Sequence, residues 1–384
     1  MNGRRRNLFF SFFLIVRLTS IVLLMAAAAG AAPAGPPDGP LALVGGTVYP
    51  APDATPIANG VVLLQGARIA AVGARASIQI PAGATTIDCS GLFLAAGFQN
   101  SHVHFTEPRW VDAASQPASK LASQIDEMLT RYGFTTVVDT GSLLSNTAAL
   151  RRRIASGEVR GPRILTAGSP LYPPAGVPFY LKDGSVPPDL LELLPQPATP
   201  TEAVRVVAAT ADGGADIIKL FTGSWVARGR VLPMPVEIAT AAAAEAHRRG
   251  KLVFTHASSV ALVPTLTLFA NDSDAPEIFA EVRDYARLGG RILFGTDVGY
   301  HDRYDPSREY ELMARAGLSW REILASLTVN PAARFGESSR RGRLAAGMDA
   351  DVTVLGGDPA ADVRAFADVR HVIRRAGDRF RVLH

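Results

Sequence analysis

The chain has 384 residues, 48% hydrophobic and 19% charged, which allows a large folded domain with a smaller companion and excludes a disordered protein. Its one cysteine, Cys89, excludes an intrachain disulfide framework and a cysteine-cluster metal site. Arg4, Arg5, Arg6 and Arg17 account for the formal charge of +4, and without them 35 basic residues face 35 acidic ones. A neutral body gives no electrostatic reason to bind nucleic acid, and none is expected.

Residues 1–32 read as a secretory signal peptide. A basic start precedes an apolar run, and small residues from Ala29 to Ala32 suit cleavage before Pro33. Arg5-Arg6 leaves general and twin-arginine export both open. Arg17 splits the apolar run, so neither piece reaches the roughly 20 residues of a spanning helix, and no stable membrane span is expected after cleavage. Residues 33–40 are Pro- and Gly-rich and read as a linker. The expected location is secreted or periplasmic.

From 41 to 97 the text is short strands with turns, LALVGGTVY, GVVLLQGARIAAVG and ATTIDCS. The tail from 341 to 384, with ADVTVLGG and RHVIRRAGDRFRVL, has the same texture. Between them, 98–340 alternates apolar strands with Ala/Arg/Glu-rich helices. FTTVVDTG precedes NTAALRRRIASGEVRG, and ADIIKLFTG precedes PVEIATAAAAEAHRRG. Thr199-Pro200-Thr201-Glu202 predicts a helix start with a capping box and proline at the first position. This alternation predicts an α/β domain with a parallel barrel or a doubly wound sheet.

Polar residues interrupt several of the apolar strands. GLFLAAGFQNSHVHF ends in His102 and His104, which share one face because strand side chains alternate. Two imidazoles aimed at one spot suit a nitrogen-liganded metal, though H-x-H alone also describes two hydrogen-bonded surface histidines. Lys219, one of only four lysines, lies within Ile217-Ile218-Lys219-Leu220-Phe221. Burial would lower its pKa and free a neutral amine, which arginine could not supply; the alternative is an amine that snorkels out of the strand end. His256 follows VFT, and Asp297 lies in ILFGTDVG. Four strands each placing such a residue at the C-terminal end describe the catalytic rim of a (β/α) barrel.

On GFQNSHVHF, Lys219, His256 and Asp297, with LTVNPAARFG and GRLAAGMDADVTVLGGDP downstream, the sequence resembles the amidohydrolase superfamily. Within it, the imidazolonepropionase-like and Xaa-Pro dipeptidase-like branch is most similar. The resemblance covers nearly all of the mature chain. It implies a TIM-like barrel plus a small β-sandwich built from both chain ends. It further implies a zinc centre of one or two ions. His102, His104 and Asp297 would hold the more buried ion. Lys219, carboxylated by carbon dioxide, would bridge to a second ion on His256 and a sixth-strand histidine. A shared hydroxide would attack an amide carbonyl, with Asp297 moving the proton to the leaving nitrogen. The expected substrate is a small molecule or dipeptide, and a homo-oligomer is compatible with the pattern.

Spacing departs from that pattern. His102 to Lys219 is 117 residues for three strand–helix units, and Lys219 to His256 is 37 for one. His256 to Asp297 is 41 where three units belong, and a barrel averages about 31 per unit. ALVPTLTLF and APEIFAEVRDYARLGG supply only one intermediate unit. The sixth strand and its flanking helices are therefore expected to be missing between about Ser258 and Ala261. No histidine occurs between His256 and His301, so the second ion loses a ligand unless His301 supplies it. Three functions stay open at this point: an exported amidohydrolase cleaving a dipeptide or N-acyl amino acid, a barrel that keeps the pocket without turnover, or lactone, phosphoester or deaminase chemistry on the same site.

Further candidates lie on the rim. Asp139 ends the VVD strand as a substrate contact or a turn former. The long loop 169–184 offers Tyr172 and Tyr180, either to a substrate or to loop packing. Trp225 and Arg228 follow Lys219, and an arginine there could hold a carboxylate by a two-pronged bond.

Overall fold

Leucine- and valine-rich runs near both chain ends form one mixed sheet in the computed structural model, which describes residues 39–182, 191–256, 261–271, 274–377 and 379–384. The segments expected to be a signal peptide (1–32) and most of a linker (33–40) lie outside the described residues, as do 257–260, where a missing unit is expected from the spacing. Strands β1 (Leu41–Val48), β2 (Ile57–Gln65), β3 (Arg68–Ala74), β4 (Thr85–Asp88) and β5 (Phe93–Ala96) come from the N-terminal side. The sheet is completed by β15 (Val352–Leu355), β16 (Val369–Ala376) and β17 (Arg379–Val382), in the order β17-β16-β15-β5-β1-β2-β3 with β4 on β1. The two chain ends meet where β5 pairs with β15, Leu94 opposite Val354. One face buries Leu43, Val62, Leu64, Leu94, Val352 and Ile373, and each such side chain contributes about 1.5–3 kcal/mol.

The intervening chain builds the barrel. Its strands are β6 (Phe98–Val103), β7 (Phe134–Asp139), β8 (Arg163–Thr166), β9 (Ile217–Leu220), β12 (Leu252–Thr255), β13 (Ala261–Leu262) and β14 (Arg291–Ile292). Parallel ladders join β6-β7-β8, β9-β12 and β13-β14. Single contacts extend them. Asp216 N donates to Thr166 O at 2.8 Å, and Ser101 N donates to Phe294 O at 2.7 Å. Val103 and Val298 form an isolated parallel bridge. Among the described residues no ladder joins β12 to β13, so the sheets do not close. A TIM-like barrel with an appended sheet is thus the architecture. The two-residue β13 leads into the short helix Leu266–Phe269 and then Ala275–Arg287, the single unit that the spacing allows before β14.

Local signals behave as their chemistry dictates. Thr199 accepts from Glu202 N at 3.2 Å to start the helix Pro200–Asp212. The Glu202 carboxylate reaches back to Ala198 N at 2.8 Å rather than to Thr199 N. The hairpin of β10 (Gly223–Ala227) and β11 (Arg230–Pro233) follows β9 directly. Ser224 in that hairpin donates to Gly176 O and ties it to the loop after β8. No helix among the described residues is long and apolar enough to cross a membrane.

Candidate active site

His102 lies in β6 and His104 just beyond it, with ring centroids 5.2 Å apart. Asp297 reaches both from the segment after β14. Its Oδ1 lies 3.3 Å from His102 Nε2 and 2.8 Å from His104 Nε2. Glycines permit this approach. A Cβ on Gly295 would sit 2.8 Å from His102 Cβ, and one on Gly299 only 1.9 Å from the His104 carbonyl oxygen. Asp297 itself adopts φ 61°, a left-handed conformation that costs an ordinary residue about 1–2 kcal/mol. Its N–H donates to His102 O at 2.9 Å, which helps hold it there. Asn100 braces the other side, accepting from His102 N at 3.2 Å and donating to Thr296 Oγ1 at 2.8 Å.

The His104 ring is oriented from behind, 2.7 Å from Nδ1 to Gly141 O. A carbonyl only accepts, so Nδ1 carries the proton and neutral His104 presents a lone pair at Nε2. That lone pair faces an anionic oxygen. Asp297 Oδ1 is buried and receives no hydrogen bond of acceptable geometry despite its two imidazole neighbours. Acceptors pressed together in this way call for a cation between them, either a proton or a metal ion. The three ligand atoms lie within 4.8 Å of one another, so the donor set fits a divalent cation that prefers nitrogen and carboxylate oxygen.

The electrostatics separate the two imidazoles and hold only His102 neutral. Burial, with Lys219 and both other imidazoles adding to it, pushes His102 down to about 3 against the pull of Asp297, which keeps it neutral. Burial would lower His104 too, but the Asp297 carboxylate outweighs that and raises it. Asp297 is held below the usual carboxylate range; burial opposes this, and His102, His104 and Lys219 prevail.

Lys219 is 5% exposed in β9. Burial pushes its amine down to about 8, against the attraction of Asp297. Its Nζ lies 5.6 Å from the Phe221 ring centre. His256, just past β12, stacks on the opposite partner of that contact, with ring centroids of His256 and Phe221 4.7 Å apart and planes within 9°. Burial and Lys219 push His256 down to about 4. Both groups therefore share the field of Asp297, while the tight three-residue cluster comprises His102, His104 and Asp297 alone among the described residues.

The remaining rim candidates separate by environment. Asp139 is fully buried at the end of β7. It accepts from Ser142 Oγ at 2.6 Å, Thr166 Oγ1 at 2.7 Å and Gly141 N at 3.2 Å. Those bonds make it a brace for the Gly141 loop that orients His104, in place of the substrate contact considered from sequence. His301 Nε2 bonds Thr296 O at 2.9 Å and its Nδ1 accepts from Arg303 N at 3.2 Å. With both nitrogens committed to backbone, His301 is not placed to replace a lost ligand. Tyr172 is buried with its ring 4.6 Å from that of Phe221, which is the packing alternative. Tyr180 meets Tyr300 edge to face at 5.6 Å, joining the loops after β8 and β14. Arg228 occupies the exposed turn of the β10–β11 hairpin, and Trp225 is 43% exposed on its first strand.

Sequence reasoning missed three groups. The Gly141 carbonyl carries no side-chain signal, although VVDTGS marked its loop. Phe221 was visible only as an apolar neighbour of Lys219. Glu309, in the helix Ser307–Arg315, is 1% exposed and accepts from Leu266 N at 2.7 Å, Thr267 N at 2.8 Å and Thr267 Oγ1 at 2.7 Å.

A (β/α) barrel with imidazoles, an amine and a carboxylate on its C-terminal rim has the donor set of a metal site. Residues 235–375 match the model of an amidohydrolase family. A candidate prolidase from Bifidobacterium longum is 25% identical with a TM-score of 0.72, covering 89% of this chain and 94% of its own. A Xaa-Pro dipeptidase solved with methionine in its active site is 21% identical with a TM-score of 0.75, covering 88% and 99%. Molinate hydrolase is 18% identical with a TM-score of 0.71, covering 90% and 95%. A search of curated protein sequences finds no match. The likeness is thus to an amidohydrolase family over residues 235–375 and, in fold, to structures named as a prolidase and a Xaa-Pro dipeptidase over 88–89% of the chain.

Proposed function

We propose that this protein is an exported, metal-dependent amidohydrolase that cleaves the amide or peptide-like bond of a dipeptide or N-acyl amino acid. The observation that carries the reading is the convergence of His102 Nε2, His104 Nε2 and Asp297 Oδ1 within 4.8 Å at the barrel rim. These three residues would hold a zinc ion. Lys219, once carboxylated, and His256 would hold a second. When bound, such an ion polarises a carbonyl and lowers the pKa of water near it.

The protein's own groups supply the rest. His102 and His104 present lone pairs, the first because burial keeps it neutral and the second because Gly141 O fixes its tautomer. Asp297 would take the proton of the attacking water at a carboxylate oxygen and deliver it to the leaving nitrogen. A Lys219 amine at about 8 stays mostly protonated at pH 7 but keeps about a tenth of its population neutral, far more than an ordinary lysine, and capture of carbon dioxide draws on that fraction. Tyr180, Trp225 and the exposed Arg228 lie on the loops after β8 and β9, where a substrate side chain or carboxylate would be recognised. The solved relatives named as prolidase and Xaa-Pro dipeptidase support a dipeptide class. Arg4 to Arg6 and the apolar run behind them support export.

The test is turnover of a dipeptide and N-acyl amino acid library by zinc-loaded protein, with Asp297→Asn as control. Metal-dependent hydrolysis of at least one member, lost in the variant, is the expected result. A correctly folded, zinc-loaded protein that cleaves none of them would remove the substrate assignment.

A further inference from the structure

A second, basic site lies at the other end of the barrel strands. Arg163 opens β8 and Asp216 precedes β9, both at N-terminal strand ends. With Arg151, Arg340, Arg341, Arg374 and Arg375 they line a cavity of about 430 Å³. Its wall combines the helix after β7, the β8 start and the end of β16, so sheet and barrel both contribute.

The carboxylates nearby do not balance these cations. Arg151 pairs with Asp216, and Arg163 with Glu337 at 2.7 Å. Asp349 is shared by Arg68 and Arg341, each at 2.7 Å, Arg340 at 3.1 Å and Arg375 at 3.4 Å, and Glu337 also lies 3.4 Å from Arg341. Asp351 lies 3.8 Å from Arg341. Seven guanidinium groups thus share four carboxylates, and six of the seven line the cavity. Arg374 forms no ion pair among the described residues; its Nη1 donates to the Gly161 carbonyl at 3.0 Å. Burial and the crowding of Arg341, Arg163 and Arg375, against the pull of Asp351, push it down to about 10. Burial, then Arg341, likewise lowers Arg163. Arg340 Nε is buried without a hydrogen-bond acceptor, and Arg341 Nε has only the Glu337 carboxylate 3.4 Å away, outside hydrogen-bond geometry.

We propose that this cavity binds a small dianion of the phosphate class, away from the hydrolytic centre. The excess of positive charge suits an anion that carries more than one negative charge. Guanidinium forks match the oxygen geometry of a phosphoryl group. The volume admits inorganic phosphate or the phosphoryl group of a compact ester.

Calorimetric titration of the full mature chain with inorganic phosphate, against sodium chloride at equal ionic strength, tests this. Phenyl phosphate forms a parallel arm. The expected result is saturable binding of phosphate with a raised melting temperature. Arg374→Gln and Arg340→Gln should each weaken it about tenfold or more, since a charge-assisted bond is worth at least one decade. Arg340 is half-exposed, 44% at its side chain, so its variant decides if the Arg374 variant fails to fold. Tighter phenyl phosphate assigns the site to an ester, and tighter inorganic phosphate to the free ion. No stabilisation beyond that of chloride, or wild-type affinity in a folded Arg340→Gln, overturns the proposal.

Discussion

Glu309 gives the most quantitative prediction. It is wholly buried, and burial pushes its carboxyl up to about 7 from the ordinary 4.5, although Leu266 and Thr267 donate to it. Because the folded protein holds this proton more tightly than the unfolded chain, stability from this group is fully present below pH 4.5. It declines as pH rises through 7. A shift of this size corresponds to about 3 kcal/mol across that window. The perturbation is Glu309→Gln, which cannot titrate and loses about 1 kcal/mol in one misdirected hydrogen bond. Denaturant unfolding of both proteins from pH 4.5 to 8 measures the difference, in which all other groups cancel. The wild type should lose about 3 kcal/mol relative to the variant over that range. Parallel stability curves would refute the reasoning. The residue matters because its carboxylate ties down Leu266–Phe269, the short helix that follows β13 where the barrel sheets stand open.

Three further outcomes are expected. Gly299→Ala would force a Cβ to 1.9 Å from the His104 carbonyl at φ 95°, costing about 2–4 kcal/mol; thermal denaturation and metal affinity should fall together, and an unchanged melting temperature contradicts the geometry. Asp139→Asn should leave the fold intact while loosening the Gly141 carbonyl that sets the His104 tautomer. Zinc affinity should drop about 10- to 100-fold, as for other groups that orient a ligand, and an affinity equal to wild type counts against the brace. Lys219→Ala should abolish turnover, and a small added carboxylate should restore part of it if a carboxylated amine is the working form; rescue by an amine instead points to a different role.

The strand-end residues were legible because each breaks an apolar run: His102 and His104 after FQNS, Lys219 inside IIKLF, Asp297 after LFG. Alternation then placed both imidazoles on one face, and their rings indeed lie 5.2 Å apart. The unit expected to be missing falls on 257–260, outside the described residues. What stayed hidden depends on distant chain. Glu309 lies in SREYELMAR, which reads as a charged surface helix until Leu266 and Thr267, over 40 positions earlier, are seen to donate to it. His301 looked free because the backbone groups of Thr296 and Arg303 that occupy it have no side-chain signature. Asp349 could not be read as the shared partner of four arginines, since Arg68 lies 281 positions away. The two chain ends were read as one small β-sandwich; they do join, in one eight-stranded sheet.

The central claim is that His102, His104 and Asp297 hold a divalent ion. Elemental analysis of the purified mature protein, dialysed against zinc and then against metal-free buffer, tests it directly beside Asp297→Asn and His104→Ala. The account predicts at least about one zinc per chain in the wild type and under about a tenth of that in each variant, in keeping with loss of one ligand from a three-ligand site. Wild-type protein that emerges metal-free, or variants that retain the same zinc, would contradict it.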